Sequence, residues 1–225
     1  MVIDMDKCTS CGACAVVCKM ENNVPCVPPE EAAGGRVITW IRMINRIEGE
    51  FPNVIAEHIP GCCFQCDKPP CTRVCPVHAT YRANDGIVAQ IYPRCIGCRY
   101  CMAACPYTAK AFNWYEPLWE DAMPETRNPD VSLRPKGVVE KCTFCSHRLQ
   151  TGREQARVEG RPFTEADYQP ACVQACPAKA MIFGDLDDPE GSVYELCRIS
   201  RAQRFLEELG TEPKVFYLSK GEKHV

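Results

Sequence analysis

The sequence predicts an α+β fold of two modules, one inserted in the other, and three observations carry that prediction. Sixteen of the nineteen cysteines fall into four groups of matched spacing. The strand signals are short and scattered, with one helix signal near the C-terminus. Setting the cysteines aside, the apolar content of 46% falls to roughly 38%, thin for the aliphatic core of a 225-residue chain. Disulfides or bound metal must therefore hold part of the fold.

The groups run as follows. The first is Cys8-x2-Cys11-x2-Cys14-x3-Cys18, and the second is Cys63-x2-Cys66-x4-Cys71-x3-Cys75-Pro76. The third is Cys95-x2-Cys98-x2-Cys101-x3-Cys105-Pro106. The fourth is split, with Cys142-x2-Cys145 followed after 26 residues by Cys172-x3-Cys176-Pro177. The repeated unit is the bacterial ferredoxin run C-x2-C-x2-C-x3-C-P. A loop with a cysteine at every third residue can wrap a cubane with three thiolates and turn its backbone N–H groups toward the sulfurs. Gly12 and Gly97 ease that wrapping, because glycine tolerates positive φ. The fourth cysteine has left the loop and reaches the neighbouring cluster. A proline behind it suits the first turn of a short helix.

The swap forces the groups to pair. Groups two and three are close in sequence and form one two-cluster unit, with Cys63, Cys66, Cys71 and Cys105 on one cluster and Cys95, Cys98, Cys101 and Cys75 on the other. Groups one and four pair across the chain. Cys8, Cys11, Cys14 and Cys176 then form one set, and Cys142, Cys145, Cys172 and Cys18 the last. The predicted modules are residues 1–60 with 138–191, and an inserted 61–115. Residues 116–137, with four prolines, read as a long surface connection, and 192–225 as a C-terminal helix and strand.

Other readings of the cysteines are weaker. A disulfide scaffold conflicts with the odd count and the length. Structural zinc usually takes two separated C-x2-C knuckles, not four cysteines packed into one short run. Cys26, Cys62 and Cys197 fall outside the pattern and read as inert thiols or small apolar residues. His58, His78, His147 and His224 show no ligand spacing, although His147, two residues after Cys145, could tune that cluster through a hydrogen bond.

Strands are expected at Val2–Asp4, Val37–Ile44, Ile87–Ala89 and Val215–Leu218, the third after an Asn84-Asp85-Gly86 turn. Ser192-x-x-Glu195 is a capping box that should open a helix ending near Gly210, with Leu196, Ile199, Leu206 and Leu209 on one face. Residues 148–170, with Arg148, Arg153, Arg157 and Arg161, read as an insertion that either contacts a partner or runs through solvent. Phe112, Trp114, Tyr115 and Trp119 are equally suited to an interface or to core packing.

A net charge of −3 from 26 basic and 29 acidic residues argues against nucleic-acid binding. Four thiolate-ligated clusters of about −2 each would add about −8, so the basic residues are less in surplus than the count implies. The stretch from Met1 to Cys8 has no basic or apolar leader region and no twin arginine, so no export signal is expected. No apolar run is long enough to span a bilayer. No nucleophilic triad, phosphate loop or flavin fingerprint is visible, which leaves a non-catalytic role.

The four groups in this order resemble the iron–sulfur subunit of the dimethyl sulfoxide reductase family. Glu140-Lys141-Cys142-Thr143-Phe144-Cys145 and Phe183-Gly184-Asp185-Leu186-Asp187-Asp188-Pro189 carry the resemblance, and the polysulfide, tetrathionate and arsenate reductases have similar subunits. Asn113-Trp114-Tyr115-Glu116-Pro117, Asn128-Pro129-Asp130-Val131 and Arg134-Pro135-Lys136-Gly137-Val138 are similar to one branch in particular. That branch holds the iron–sulfur components of alternative complex III and of quinone reductase complexes. The resemblance runs from about Met1 to Leu218. It implies two pseudo-symmetric bacterial-ferredoxin-like modules with four [4Fe–4S] clusters in a line. It also implies an electron-transfer subunit between a quinone-reactive membrane subunit and a catalytic molybdopterin-type subunit. Such a chain would be peripheral to the membrane, on the periplasmic face by co-export or else cytoplasmic. The competing reading is a free-standing soluble polyferredoxin shuttle.

Overall fold

The computed structural model describes residues 1–117, 119 and 124–219. In chain order the elements are β1 (Val2–Asp4), α1 (Ala13–Glu21), α2 (Pro29–Ala33), β2 (Arg42–Glu48), β3 (Ile55–Gly61), α3 (Pro70–Arg73), β4 (Thr80–Arg82) and β5 (Val88–Gln90). They continue with α4 (Tyr100–Ala103), β6 (Lys110–Phe112), β7 (Val139–Lys141), α5 (Ser146–Val158), α6 (Ala171–Gln174), β8 (Met181–Ile182), β9 (Ala202–Gln203) and β10 (Phe216–Leu218). One sheet has the order β8-β1-β10-β9, with β1 parallel to β10 and antiparallel to β8. The ribbons β2–β3, β4–β5 and β6–β7 are antiparallel pairs.

Proline marks where two of the short helices begin. Pro70 opens α3 and Pro170 precedes α6, and each helix stops within four residues. Behind Cys75, Cys105 and Cys176 the chain repeats one turn. The residue three positions on, His78, Thr108 or Lys179, takes a positive φ of 49, 51 or 48°. Its N–H donates to the cysteine carbonyl at 3.2, 3.2 or 3.1 Å, and a strand begins shortly after. Cys18 has no proline behind it, so α1 runs through it to Glu21. Helix α1 packs on α6, and α3 on α4.

The core is small and shared with sulfur. Ile3, Trp40, Ile41, Phe64 and Tyr217 are buried together with Cys18, Cys63, Cys66, Cys142 and Cys172. Phe64 stacks on Tyr107 with ring centroids 4.1 Å apart, and the Tyr217 hydroxyl donates to Pro60 O at 2.8 Å. Among the described residues no helix is long and apolar enough to cross a membrane.

The expected strands at Val2–Asp4, 87–89 and 215–218 form to within about a residue at each end, that at 87–89 as the far arm of the β4–β5 hairpin. Three expectations need correction. The strand expected over Val37–Ile44 begins only at Arg42, because Ile38, Trp40 and Ile41 are drawn into the core. The helix expected from Ser192 is a succession of turns. Ser192 directs its hydroxyl to Phe183 O and its N–H to Glu165, so it caps nothing, and Leu206 and Gly210 break any helical path with positive φ. Leu196 still packs in the small cluster of Val2, Val193, Phe216 and Leu218, while Ile199, Leu206 and Leu209 are exposed. The 116–137 connection is not wholly at the surface, although Leu118 and residues 120–123 lie outside the described residues. Arg134 is buried, paired with Glu140, and stacks over the Trp40 ring at 5.2 Å.

About half of the 148–170 segment is α5, and three of its four arginines tie it to other parts of the fold or to its own loop. Arg148 binds Glu21, Arg153 binds Asp85, and Arg161 binds Asp167. Trp114 and Tyr115 are exposed near the third group, with Arg99 over the Trp114 ring at 4.6 Å.

Candidate iron–sulfur centre

Each cysteine loop turns through the same backbone state. The second residue between the first two cysteines takes positive φ in all four groups: Ser10 at 59°, Gln65 at 48°, Gly97 at 70° and Phe144 at 54°. A left-handed L-residue costs roughly 1–2 kcal/mol, so the repeat imposes that cost on three non-glycine side chains. At Gly97 space also matters, because a Cβ there would stand 2.4 Å from Gly137 O. At Gln65 the side chain holds the turn, its amide donating to Cys142 O at 2.8 Å and its carbonyl accepting from Val88 N at 2.7 Å.

The fold brings together cysteines that are distant in sequence. Burial drives the Cys18 thiol well up, and the adjacent Cys142, Cys172 and Cys145 drive it further. The buried Asn22 amide lies between two of these thiols, 3.7 Å from Cys18 Sγ and 3.6 Å from Cys145 Sγ, across 123 residues of sequence. Burial likewise raises Cys14, whose thiol neighbours are Cys8, Cys11 and Cys176. Cys66 is pushed up to about 12 by burial, with Cys63, Cys71 and Cys105 adding to it. Burial also raises Cys101, beside Cys95 and Cys75. The sets adjoin one another, since Cys172 feels Cys14, and Cys63 feels Cys142. Cys11 and Cys98 are exposed, whereas Cys63, Cys66, Cys71, Cys142, Cys145 and Cys172 are buried.

Backbone donors reach the sulfurs as well. Ala79 N–H points at Cys75 Sγ at 3.2 Å, Ala180 N–H at Cys176 Sγ at 3.3 Å and Phe144 N–H at Cys142 Sγ at 3.4 Å.

This donor set fits iron–sulfur cubanes. Every cysteine is a free thiol. Among the described residues no three His, Cys, Asp or Glu side chains gather closely enough for a single ion. A four-iron cage asks for thiolates set wider apart, one at each corner. Thiols raised by burial, such as Cys14, Cys18, Cys66 and Cys172, resist ionisation by themselves, and a bound iron core would displace their protons and offset their repulsion.

Outside the sets, Cys62 is buried beside Cys142 and lowers that thiol by a hydrogen-bonding contact, while its own thiol is driven up. Cys26 is exposed and Cys197 half-buried. His147 binds Glu21 at 2.7 Å instead of reaching a sulfur. Asn22 escaped the sequence reading, though its place one helical turn after Cys18 is visible once α1 is known.

Comparison with known proteins identifies the centre. Models of a 4Fe-4S dicluster domain match residues 94–180 and 54–127, and a 4Fe-4S binding domain matches residues 1–21. The chain is 50% identical to the menaquinone reductase iron-sulfur cluster-binding subunit of Nitratidesulfovibrio vulgaris, over 99% of this chain and 89% of that one. It belongs to the family of iron–sulfur subunits of molybdopterin oxidoreductase complexes. The arsenate respiratory reductase iron-sulfur subunit of Shewanella sp. is 36% identical over 97% of this chain and 94% of its own length. An Hdr-like menaquinol oxidoreductase iron-sulfur subunit of Archaeoglobus fulgidus is 37% identical, over 98% of this chain and 83% of its own length. The subunit therefore carries [4Fe–4S] clusters on ferredoxin-like dicluster domains in a mixed helix-and-strand fold, and its place is in a membrane-associated complex. The free-standing shuttle loses to this reading.

Proposed function

We propose that the chain relays single electrons through four [4Fe–4S] clusters, between a quinone-reactive membrane subunit and a catalytic molybdopterin-type subunit. The proposed ligand sets are Cys8, Cys11, Cys14 and Cys176; Cys18, Cys142, Cys145 and Cys172; Cys63, Cys66, Cys71 and Cys105; and Cys75, Cys95, Cys98 and Cys101. They follow one another in that order. The exposed Cys11 and Cys98 mark the two ends, where partners exchange electrons. The observation that carries this reading is the Asn22 amide spanning Cys18 Sγ and Cys145 Sγ.

The same geometry supports two nested modules, since α1 packs on α6 and α3 on α4. Each bound cluster supplies a one-electron carrier. The chain's residues hold it rigidly, exclude water from the inner sets and set its potential by hydrogen bonds and charge. A tenfold change in a one-electron equilibrium corresponds to about 59 mV, so modest uphill steps are tolerable between neighbours.

The test compares three serine variants in the purified complex by electron paramagnetic resonance. Cys18→Ser should lose the same signal as Cys145→Ser and spare the one lost in Cys11→Ser. If it instead matches Cys11→Ser, the crossed assignment is wrong. The proposed site of action is the periplasmic face, reached by co-export with a signal-bearing partner, and this rests on resemblance alone. Protease digestion of the subunit in intact spheroplasts is the expected result, and protection there would place it on the cytoplasmic side.

A further inference from the structure

The β6–β7 ribbon aligns two lysines that the ligand sets do not use. Lys110 and Lys141 are direct cross-strand partners, and both are buried, at 5% and 0% exposure. Like charges placed directly opposite each other in a sheet destabilise it. A buried ammonium is costly unless a counter-charge stands nearby.

Neither lysine forms an ion pair with a carboxylate among the described residues. Lys141 Nζ donates to Val88 O and, at 2.8 Å, to Cys142 O. Lys110 Nζ donates to Thr80 Oγ1 at 3.1 Å and Gln90 Oε1 at 3.4 Å. All four acceptors are neutral. Strand alternation turns Glu140 to the opposite face from Lys141, where Arg134 takes it.

What does surround the pair is thiol. Lys110 lies near Cys71, Cys75 and Cys101, and Lys141 near Cys63, Cys71 and Cys142. On the ligand sets proposed above, Lys110 stands between the sets of Cys71 and Cys75. Lys141 stands between those of Cys63 and Cys142.

We infer that Lys110 and Lys141 are positioning charges of the relay, a buried cationic pair whose counter-ions are the anionic clusters and which raises the potentials of the three clusters it borders. Each arriving electron adds one unit of negative charge and no bond forms or breaks, so a fixed ammonium nearby favours the reduced state electrostatically. The pair also repels itself less once cluster charge is present, which ties assembly of the two modules to cluster insertion. The inference rests on the ligand assignment, and the serine variants above test that assignment separately.

The experiment is a potentiometric titration, followed by electron paramagnetic resonance, of the intact complex carrying Lys110→Met, Lys141→Met or the exposed control Lys68→Met. Iron and labile sulfide are measured on each sample. With full iron content, Lys110→Met should shift the reduction equilibria of the Cys71 and Cys75 clusters at least tenfold toward the oxidised state, about 59 mV each. Lys141→Met should do the same to the Cys63 and Cys142 clusters. The cluster of Cys8, Cys11 and Cys14 should stay within threefold in both, and Lys68→Met should move none.

Unmoved potentials at full iron content would overturn the inference while leaving the ligand assignment intact. If a methionine variant does not assemble, glutamine and arginine replacements decide. Assembly with arginine but not glutamine supports the charge. Failure of both makes the lysine a packing residue and overturns the inference.

Discussion

The two inner thiol sets and the two outer ones come from the same cysteine run, yet they sit in different surroundings. On the proposed assignment, all cysteines of the inner sets but Cys105 are buried, whereas in the outer ones Cys101 alone is buried and Cys11 and Cys98 are exposed. Buried side chains gather at the inner sets: Asn22 at Cys18 and Cys145, and Gln65 and Lys141 at the Cys142 carbonyl. The outer sets draw more on backbone, as Ala79 and Ala180 do at Cys75 and Cys176, apart from the buried Lys110 beside Cys75 and Cys101. The difference teaches that ligation and tuning are separable: the run supplies ligands everywhere, and specific side chains tune only where water is excluded and charge acts at short range.

Removing one ligand from each kind of set breaks the comparison most severely. Cys145→Ser leaves three buried thiols around a vacated core and should cost several kcal/mol, because cluster binding and folding are one equilibrium. Cys11→Ser acts at the surface and should leave the other three clusters in place. Iron content and the yield of assembled complex distinguish them, with a large loss expected only for Cys145→Ser. Equal losses would mean that burial does not divide the sets.

The outer sets can be compared with each other through their glycines. Gly12 and Gly97 both hold positive φ, at 74 and 70°, but a Cβ has open space at Gly12 and meets Gly137 O at 2.4 Å at Gly97. Gly12→Ala should cost roughly 1–2 kcal/mol for the left-handed backbone alone. Gly97→Ala should cost more, since the 137 segment must also shift. Thermal inactivation of the complex measures both, and equal losses would leave the close approach without consequence.

The sequence disclosed the cysteine groups, the prolines behind three of them and the strand at each terminus, because fixed spacing and proline chemistry are local. It hid what depends on contacts between remote segments. Gln65 and Phe144 give no propensity signal for a left-handed turn, and that state is visible only from the loop they share with Gly97. Nothing local marks Lys110 and Lys141 as buried before β6 and β7 pair. The capping signature at Ser192 misled, because Glu165 captures its N–H across 27 residues of sequence and Phe183 O its hydroxyl. The apolar run from Val37 fed the core and formed no strand there.

Asn22 sharpens the comparison at intermediate size. Its amide reaches two thiols of one inner set and also donates to Cys18 O at 3.1 Å, so it caps α1 as well. A hydrogen bond to a charged group is worth about 1.5–3 kcal/mol. Its loss in Asn22→Leu should shift the reduction equilibrium of that cluster about tenfold toward the oxidised state, near 59 mV. Asn22→Asp keeps the shape and adds negative charge, so it should shift further in the same direction. A potential that moves in the leucine variant but not in the aspartate one would assign the effect to packing.

The smallest effect concerns what holds the inner set from outside. Glu21, the last residue of α1, accepts from Arg148 at 2.5 Å and pairs with His147 at 2.7 Å, clamping α1 to α5. The hydrogen bond from Arg148, and after it that from His147, hold the Glu21 carboxyl below its ordinary value. A carboxylate depressed in the folded state contributes stability above its unfolded pKa of about 4.3, and loses it as the pH falls through the folded value. The pair is partly solvated, so its contribution should be about 1 kcal/mol and not a buried pair's several. Arg148→Met and Glu21→Gln should each lower thermal stability at pH 7, and the double variant should lose about 1 kcal/mol less than the two losses added together. Arg148→Met should cost nearly as much at pH 5 as at pH 7, and less once the pH falls below about 4.3 toward the folded value, where protonation does what the substitution does. Strict additivity at pH 7 would show that the pair does not hold α1, and the clamp would then have no part in separating inner sets from outer.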